Sequence, residues 1–230
     1  LAQARGTARV VIGEGEKDEA PMLYVGEEVG CGGGPVVDLA VDPLEGTNYC
    51  AKGTEGAIAV VACAPEGTLM ATPGYYMEKL VVGKAAAGAI DITQPIEKNL
   101  GSVAEALGRR VDEVVTIVLA KPRHVELIER IRATGAAVVE IPDGDVMGSM
   151  RALLPAGGVD LSIGIGGAPE GVVTACAVRL LGGDMQARLA PLSDKELAMI
   201  QAAGESPERV LRLEDLVAAE ECAFVATGAT

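Results

Sequence analysis

The order of apolar runs predicts an α/β protein, mixed α+β in its first half and α/β in its second. Three observations carry that expectation. From residue 114 onward, short Val/Ile-rich runs alternate regularly with helix-length segments. Before that point the apolar runs are separated mainly by Gly- and Pro-rich stretches. Hydrophobic residues make up 49% of the 230 and aromatics only 2%, so Val, Ile, Leu and Ala must fill the core. The change of rhythm divides the chain into two expected domains, 1–116 and 117–230.

The elements follow in order. Strands are expected at 8–12, 36–41, 57–63 and 77–83, where β-branched residues cluster. The last two are joined by a Gly/Pro-rich stretch and are expected to be antiparallel neighbours. Helices are expected at 19–29 and 101–108. In the second half, 114–120 reads as a strand and 122–134 as a helix, with Pro122 at its start and Gly135 at its stop. Then come strand 136–141, helix 146–154, strand 159–165 and helix 169–181. A largely parallel sheet would accommodate that alternation. No apolar stretch is long and uncharged enough to read as a membrane span.

Two acid-rich strand ends carry the chemistry. Val10-Val11-Ile12 runs into Gly13-Glu14-Gly15-Glu16-Lys17-Asp18-Glu19. Asp18 and Glu19 suit a helix N-terminus. Glu14 and Glu16, held open by glycines at a strand end, do not need one. The apolar run 36–41 ends in Asp42-Pro43-Leu44-Glu45-Gly46-Thr47. Pro43 restricts the backbone and Gly46 permits a sharp turn. Carboxylates, a carbonyl and an alcohol gathered this way suit a hard divalent cation such as Mg²⁺ or Mn²⁺. For the Asp42–Thr47 stretch alone, a solvated turn capped by Asp42 is an equal alternative; for the first stretch alone, the alternative is a helix N-terminus. Packed together, the two clusters would repel without a cation.

At this point the residues resemble a known family. Residues 13–24 (Gly-Glu-Gly-Glu-Lys-Asp-Glu-Ala-Pro-Met-Leu-Tyr) and the Asp-Pro-Leu-Glu-Gly-Thr stretch are similar to the class II, bacterial-type fructose-1,6-bisphosphatases. Tyr75–Leu80, Lys121-Pro122-Arg123-His124, Pro142–Val146 and Gly164–Gly171 extend the resemblance in collinear order from Val10 to Arg188. Some members also hydrolyse sedoheptulose-1,7-bisphosphate, and the family belongs to the lithium-sensitive, metal-dependent phosphatases. The resemblance implies a layered α/β/α/β/α sandwich. It implies a cytoplasmic enzyme of gluconeogenesis, expected to be a homo-oligomer, that releases the 1-phosphate of fructose-1,6-bisphosphate with Mn²⁺ or Mg²⁺. Related substrates, an inositol phosphate or a nucleotide 3′-phosphate, are the alternatives, and so is a non-catalytic metal- or sugar-phosphate-binding domain.

The expected roles follow from that resemblance. Glu14, Asp42, the Leu44 carbonyl, Glu45 and Glu170 are the metal ligands. Thr47 orients the attacking water, with Glu16 and Asp18 as further candidates for ligand or base. Glu45, Gly46, Thr47, Tyr76, Lys121, Pro122, Arg123, Asp143, Gly144, Asp145 and Gly167 face the substrate. His124 is expected to start a helix rather than to catalyse. Asp143-Gly144-Asp145 does not fit an EF-hand loop, because Met147 and Leu154 occupy the fifth and twelfth positions; a capping turn and sugar binding both remain open from the residues alone. Gly164–Gly171 does not fit a dinucleotide fingerprint, because Pro169 stands where the third glycine belongs. Family members also carry a preceding segment with a further Asp and Lys at the site. Only nine residues precede Val10 here, so an N-terminally extended chain is expected to be active and this stretch alone inactive or poorly soluble.

Composition agrees with such an enzyme. A net charge of −14 disfavours nucleic acid and anionic membranes as partners. Five cysteines with no C-x-x-C pair, beside a single His, exclude a zinc finger and point to reduced thiols.

Overall fold

The computed structural model describes residues 5–14 and 22–230. The elements are β1 (Gly6–Ile12), β2 (Glu28–Gly32), β3 (Val36–Glu45), α1 (Thr47–Lys52), β4 (Ile58–Pro65), β5 (Tyr76–Val82), α2 (Ile96–Leu107), β6 (Val115–Leu119), α3 (Val125–Ala133), β7 (Ala137–Ile141), α4 (Asp145–Leu153), β8 (Leu161–Gly167), α5 (Ala168–Leu181), β9 (Asp184–Leu189), α6 (Asp194–Ala202), β10 (Leu211–Arg212), α7 (Leu213–Leu216) and β11 (Ala223–Gly228). They build two mixed sheets, in the orders β11-β4-β3-β1-β2 and β10-β9-β5-β8-β6-β7. No helix among the described residues is long and apolar enough to cross a membrane.

Helix α5 lies between the sheets. Nine of its fourteen residues are buried, mostly Ala, Val and other small side chains. A helix apolar all round belongs in a core. Its small surface lets Ala40, Ile58, Val60 and Ala62 of the first sheet and Met77, Val81, Met185 and Leu189 of the second share one cluster with it. On the far face of the second sheet, α2 and α3 pack Leu100, Val103, Ile128 and Ile131 against Leu80, Val82, Val118 and Leu161. The described residues thus stack as β/α/β/α, consistent with the sandwich expected above.

Three expectations are corrected. Strands β4 and β5 are not neighbours; they belong to different sheets. The segment 66–75 is too long for a tight hairpin, and it is pinned on the way across. Buried Asp38 accepts the Thr68 and Leu69 amides at 2.9 and 3.0 Å, and the Met70 amide donates to the Leu216 carbonyl. The helix expected at 19–29 is overturned from residue 22 on. Residues 22–27 turn, Gly26 has φ 90°, and Glu28–Gly32 pairs antiparallel with β1; residues 19–21 lie outside the described residues. A positive φ and the glycines that follow cannot propagate a helix, whereas the edge of β1 offers ladder partners. Finally, the second sheet is mixed rather than largely parallel. Strand β6 runs parallel to β7 and β8, but β5 inserts antiparallel between β8 and β9. The elements expected between 114 and 181 match to within about two residues at their ends, with α3 opened by a 3₁₀ turn at Pro122–His124; β9, α6, β10, α7 and β11 were not anticipated.

Leu100 is fully buried on α2, away from the strand ends that carry the acids. Leu100→Ala is expected to cost about 2–5 kcal/mol, seen as a clearly lower Tm, while the folded fraction keeps its activity per molecule.

Candidate active site

The site begins with a bulge. Asp42 pairs with Val60 and Glu45 with Ile58, so β3 carries an extra residue between them. The sequence places the strand end at Val41; the strand instead continues to Glu45, with Pro43 inside the irregularity. Proline cannot donate to the ladder, and a bulge re-aims side chains beside it. Asp42 Oδ1 accepts the Leu44 amide at 3.0 Å. Gly46 then adopts φ 81°, ψ 43° and delivers Thr47 as the first residue of α1.

Glu45 crosses to the other half of the molecule. Its Oε1 accepts the Val146 amide of α4 at 3.0 Å, while Oε2 is buried without a partner. Gly144, at φ 85°, admits this approach: a Cβ there would stand 3.3 Å from Glu45 Oε2. Asp145 Oδ1 and Glu170 Oε2 are likewise buried and unpartnered. Burial pushes the Asp42 carboxyl up to about 6, with the charges of Glu14, Asp145 and Asp143 adding to it. Burial and the Asp145 charge push Glu45 up to about 8. Glu170 is also raised, by burial and by Asp145.

Beside these groups lies a cavity of about 450 Å³, a size suited to a small-molecule ligand. Glu14, Asp42, Leu44, Thr47, Gly167 and Glu170 line it. Among the described residues, no three of His, Cys, Asp and Glu converge closely enough to close on a metal ion. The donor set nonetheless fits a hard cation: the oxygens come from carboxylates, three of them are buried and unpartnered, and the charges raise one another's proton affinity. Glu16 and Asp18 lie outside the described residues.

A second group of expected residues sits at the adjoining strand ends and does not line the cavity. Asp143 Oδ2 accepts both the amide and the Nδ2 of Asn48, at 3.0 and 3.1 Å, and Oδ1 lies 3.9 Å from Lys121 Nζ. Arg123 donates Nε and Nη2 to the Ile165 carbonyl and lies 5.5 Å from the centre of the Tyr76 ring. Pro122 opens the turn that carries it. His124 is buried between strands. The Ile165 amide donates to Nε2 and Nδ1 donates to the Leu119 carbonyl, both at 2.8 Å. It is a neutral brace, and burial lowers its proton affinity.

Sequence reasoning missed three contributors: Asn48, Lys79 and the 71–75 wall with Met199. Lys79 had a signal, since it interrupts the inward-facing alternation Met77-x-Lys79-x-Val81. The others had none, because their partners lie some hundred residues away.

The metal-free protein is expected to melt at higher temperature at pH 6 than at pH 8. The folded state holds protons on Asp42 and Glu45 more tightly than the unfolded chain. Their contribution is therefore complete below the ordinary values of 3.8 and 4.5 and is lost as pH rises through about 6 and 8. Thermal unfolding with a chelator checks this; a Tm that rises between pH 6 and 8 contradicts it. Asp42→Asn is expected to abolish activity and weaken Mn²⁺ binding without lowering the metal-free Tm, because it also relieves repulsion.

The family model described as "Bacterial fructose-1,6-bisphosphatase, glpX-encoded" matches residues 1–230. A "Fructose-1,6-bisphosphatase class 2" of Haemophilus influenzae is 49% identical over 236 residues, covering 97% of this chain and 71% of the relative. A "Fructose-1,6-bisphosphatase 1 class 2" of Escherichia coli is 45% identical over 243 residues, covering 100% of this chain and 72% of the relative.

Proposed function

The chain belongs to the bacterial, glpX-encoded fructose-1,6-bisphosphatase family, and from that premise we propose how its residues divide the work of hydrolysis. The protein is a metal-dependent phosphoric monoester hydrolase that converts fructose-1,6-bisphosphate to fructose 6-phosphate and phosphate, a step of gluconeogenesis. The observation that supports the proposed site is the meeting of Asp42 and Glu45 from one sheet with Asp145 and Glu170 from the other half, with three buried oxygens left unpartnered.

Glu14, Asp42, the Leu44 carbonyl, Glu45 and Glu170 would hold the cation, which we take to be Mn²⁺ or Mg²⁺ because every donor is an oxygen. Bound there, a divalent ion supplies charge neutralisation for the departing phosphate and a more acidic water. Thr47, presented at the head of α1 and lining the cavity, would orient that water through its hydroxyl. Phosphate transfer depends on positioning and electrostatics more than on covalent chemistry. Gly46 leaves room at the turn, and Gly167 carries its backbone close to the substrate. Lys121 and Arg123, with Tyr76 beneath the guanidinium, would grip the phosphate that does not react. Asp143, Gly144 and Asp145 border the sugar.

We further propose a cytoplasmic homo-oligomer and activity on sedoheptulose-1,7-bisphosphate. Phosphate release from a panel of sugar, inositol and nucleotide 3′-phosphates, with Mn²⁺ and with Mg²⁺, tests the substrate and metal assignments. Sensitivity to lithium tests the wider kinship. Thr47→Ala is expected to bind substrate but not to turn it over.

Arg123→Ala is expected to raise KM for the bisphosphate while leaving a small aryl phosphate nearly unaffected. A charge-assisted pair of this kind is worth about 1.5–3 kcal/mol, or roughly 10- to 100-fold in KM. Equal losses on the two substrates would place Arg123 away from the second phosphate.

A further inference from the structure

Lys79 is a buried lysine with no place in the roles derived so far. It is 5% exposed, and the residues beside it on the same face of β5, Met77 and Val81, are fully buried. An ammonium in such a setting requires anionic or carbonyl partners. It has two, from two different corners of the fold. Asp145 Oδ2, at the first position of α4, lies 2.5 Å away, and the Gly167 carbonyl, at the start of α5, lies 2.8 Å away. The fit is close. A Cβ on Gly166 would come to 1.7 Å from Asp145 Oδ2 and 3.1 Å from Lys79 Nζ.

We propose that Lys79 is a positioning residue for the hydrolysis, clamping the Asp143–Asp145 loop to the Gly167 corner that carries Glu170. The proposal rests on the bisphosphatase reading above. The loop bordering the sugar and the corner bearing a metal-facing carboxylate come from different strands, and this ammonium bridges the two. An ion pair that served folding alone could be exchanged for apolar residues at little loss. Here the anionic partner also faces Glu45 and Glu170, so the ammonium offsets a charge that the site itself assembles. Misplacement of such a pair by about 1 Å is enough to cost on the order of 100-fold in rate.

The test compares the wild-type protein with Lys79→Met, Asp145→Asn and the double variant, measuring kcat and KM for fructose-1,6-bisphosphate at saturating Mn²⁺, together with Tm. Turnover by the wild type establishes the bisphosphatase reading independently. Lys79→Met is expected to lower kcat at least about tenfold, with a smaller rise in KM from the loosened sugar-bordering loop, because Tyr76 and Arg123 keep their grip from the opposite face of β5. If Lys79→Met does not fold, the double variant, which leaves neither member of the Lys79–Asp145 pair as a buried unpaired charge, replaces it. Its kcat is expected to lie within about threefold of Asp145→Asn alone, since residues acting as a unit are not additive. Wild-type kcat per folded molecule in Lys79→Met, or a double variant at least about tenfold slower than Asp145→Asn, would overturn the proposal.

Discussion

Glu45 stands where the two sheets meet, with one carboxylate oxygen on the Val146 amide and the other buried without a partner. That single side chain ties the bulged end of β3 to the first turn of α4. Much else depends on keeping it there. Gly46 must turn immediately after it, and Gly144 must leave the space its oxygen fills. Pro43 keeps the bulge from closing into a regular ladder. The constraint is electrostatic as well as steric. An ionised carboxylate in this position is costly without a counter-charge, and Asp42, Asp145 and Glu170 crowd it with more of the same sign.

The rest of the architecture packs conventionally around this group. The sheets are held apart by a helix of small residues and are backed by a separate aliphatic cluster on the far side. His124, Asp38 and the Asn48–Asp143 pair brace the loops around the site with satisfied hydrogen bonds. Within the acidic group, the Lys79 ammonium meets Asp145 and moderates Glu170. It leaves Glu45 and Asp42 uncompensated. Without a counter-charge these two carboxyls hold their protons more tightly than exposed ones would. The overall charge of −14 does not exclude an anionic substrate, because Lys121 and Arg123 put positive charge at the strand ends beside the cavity.

The sequence by itself determined the element types between residues 114 and 181, the two acid-rich stretches and the kinship. Those are local properties: apolar periodicity, turn chemistry and residues adjacent in the chain. It did not determine that 66–75 leaves one sheet for the other, that Glu28–Gly32 is an edge strand, or that β5 separates β8 from β9. Each of these depends on which ladder edge is open when the chain folds back, and no short-range pattern encodes that. The same holds for the site. Asp42, Glu45 and Thr47 are legible as a cluster because a Pro, a Gly and two acids share six positions. Whether Glu45 meets Val146, and Lys79 meets Asp145, was decided only by the tertiary structure. Those contacts join residues 101 and 66 positions apart, and their energies come from burial and charge proximity, which exist only once the sheets have packed.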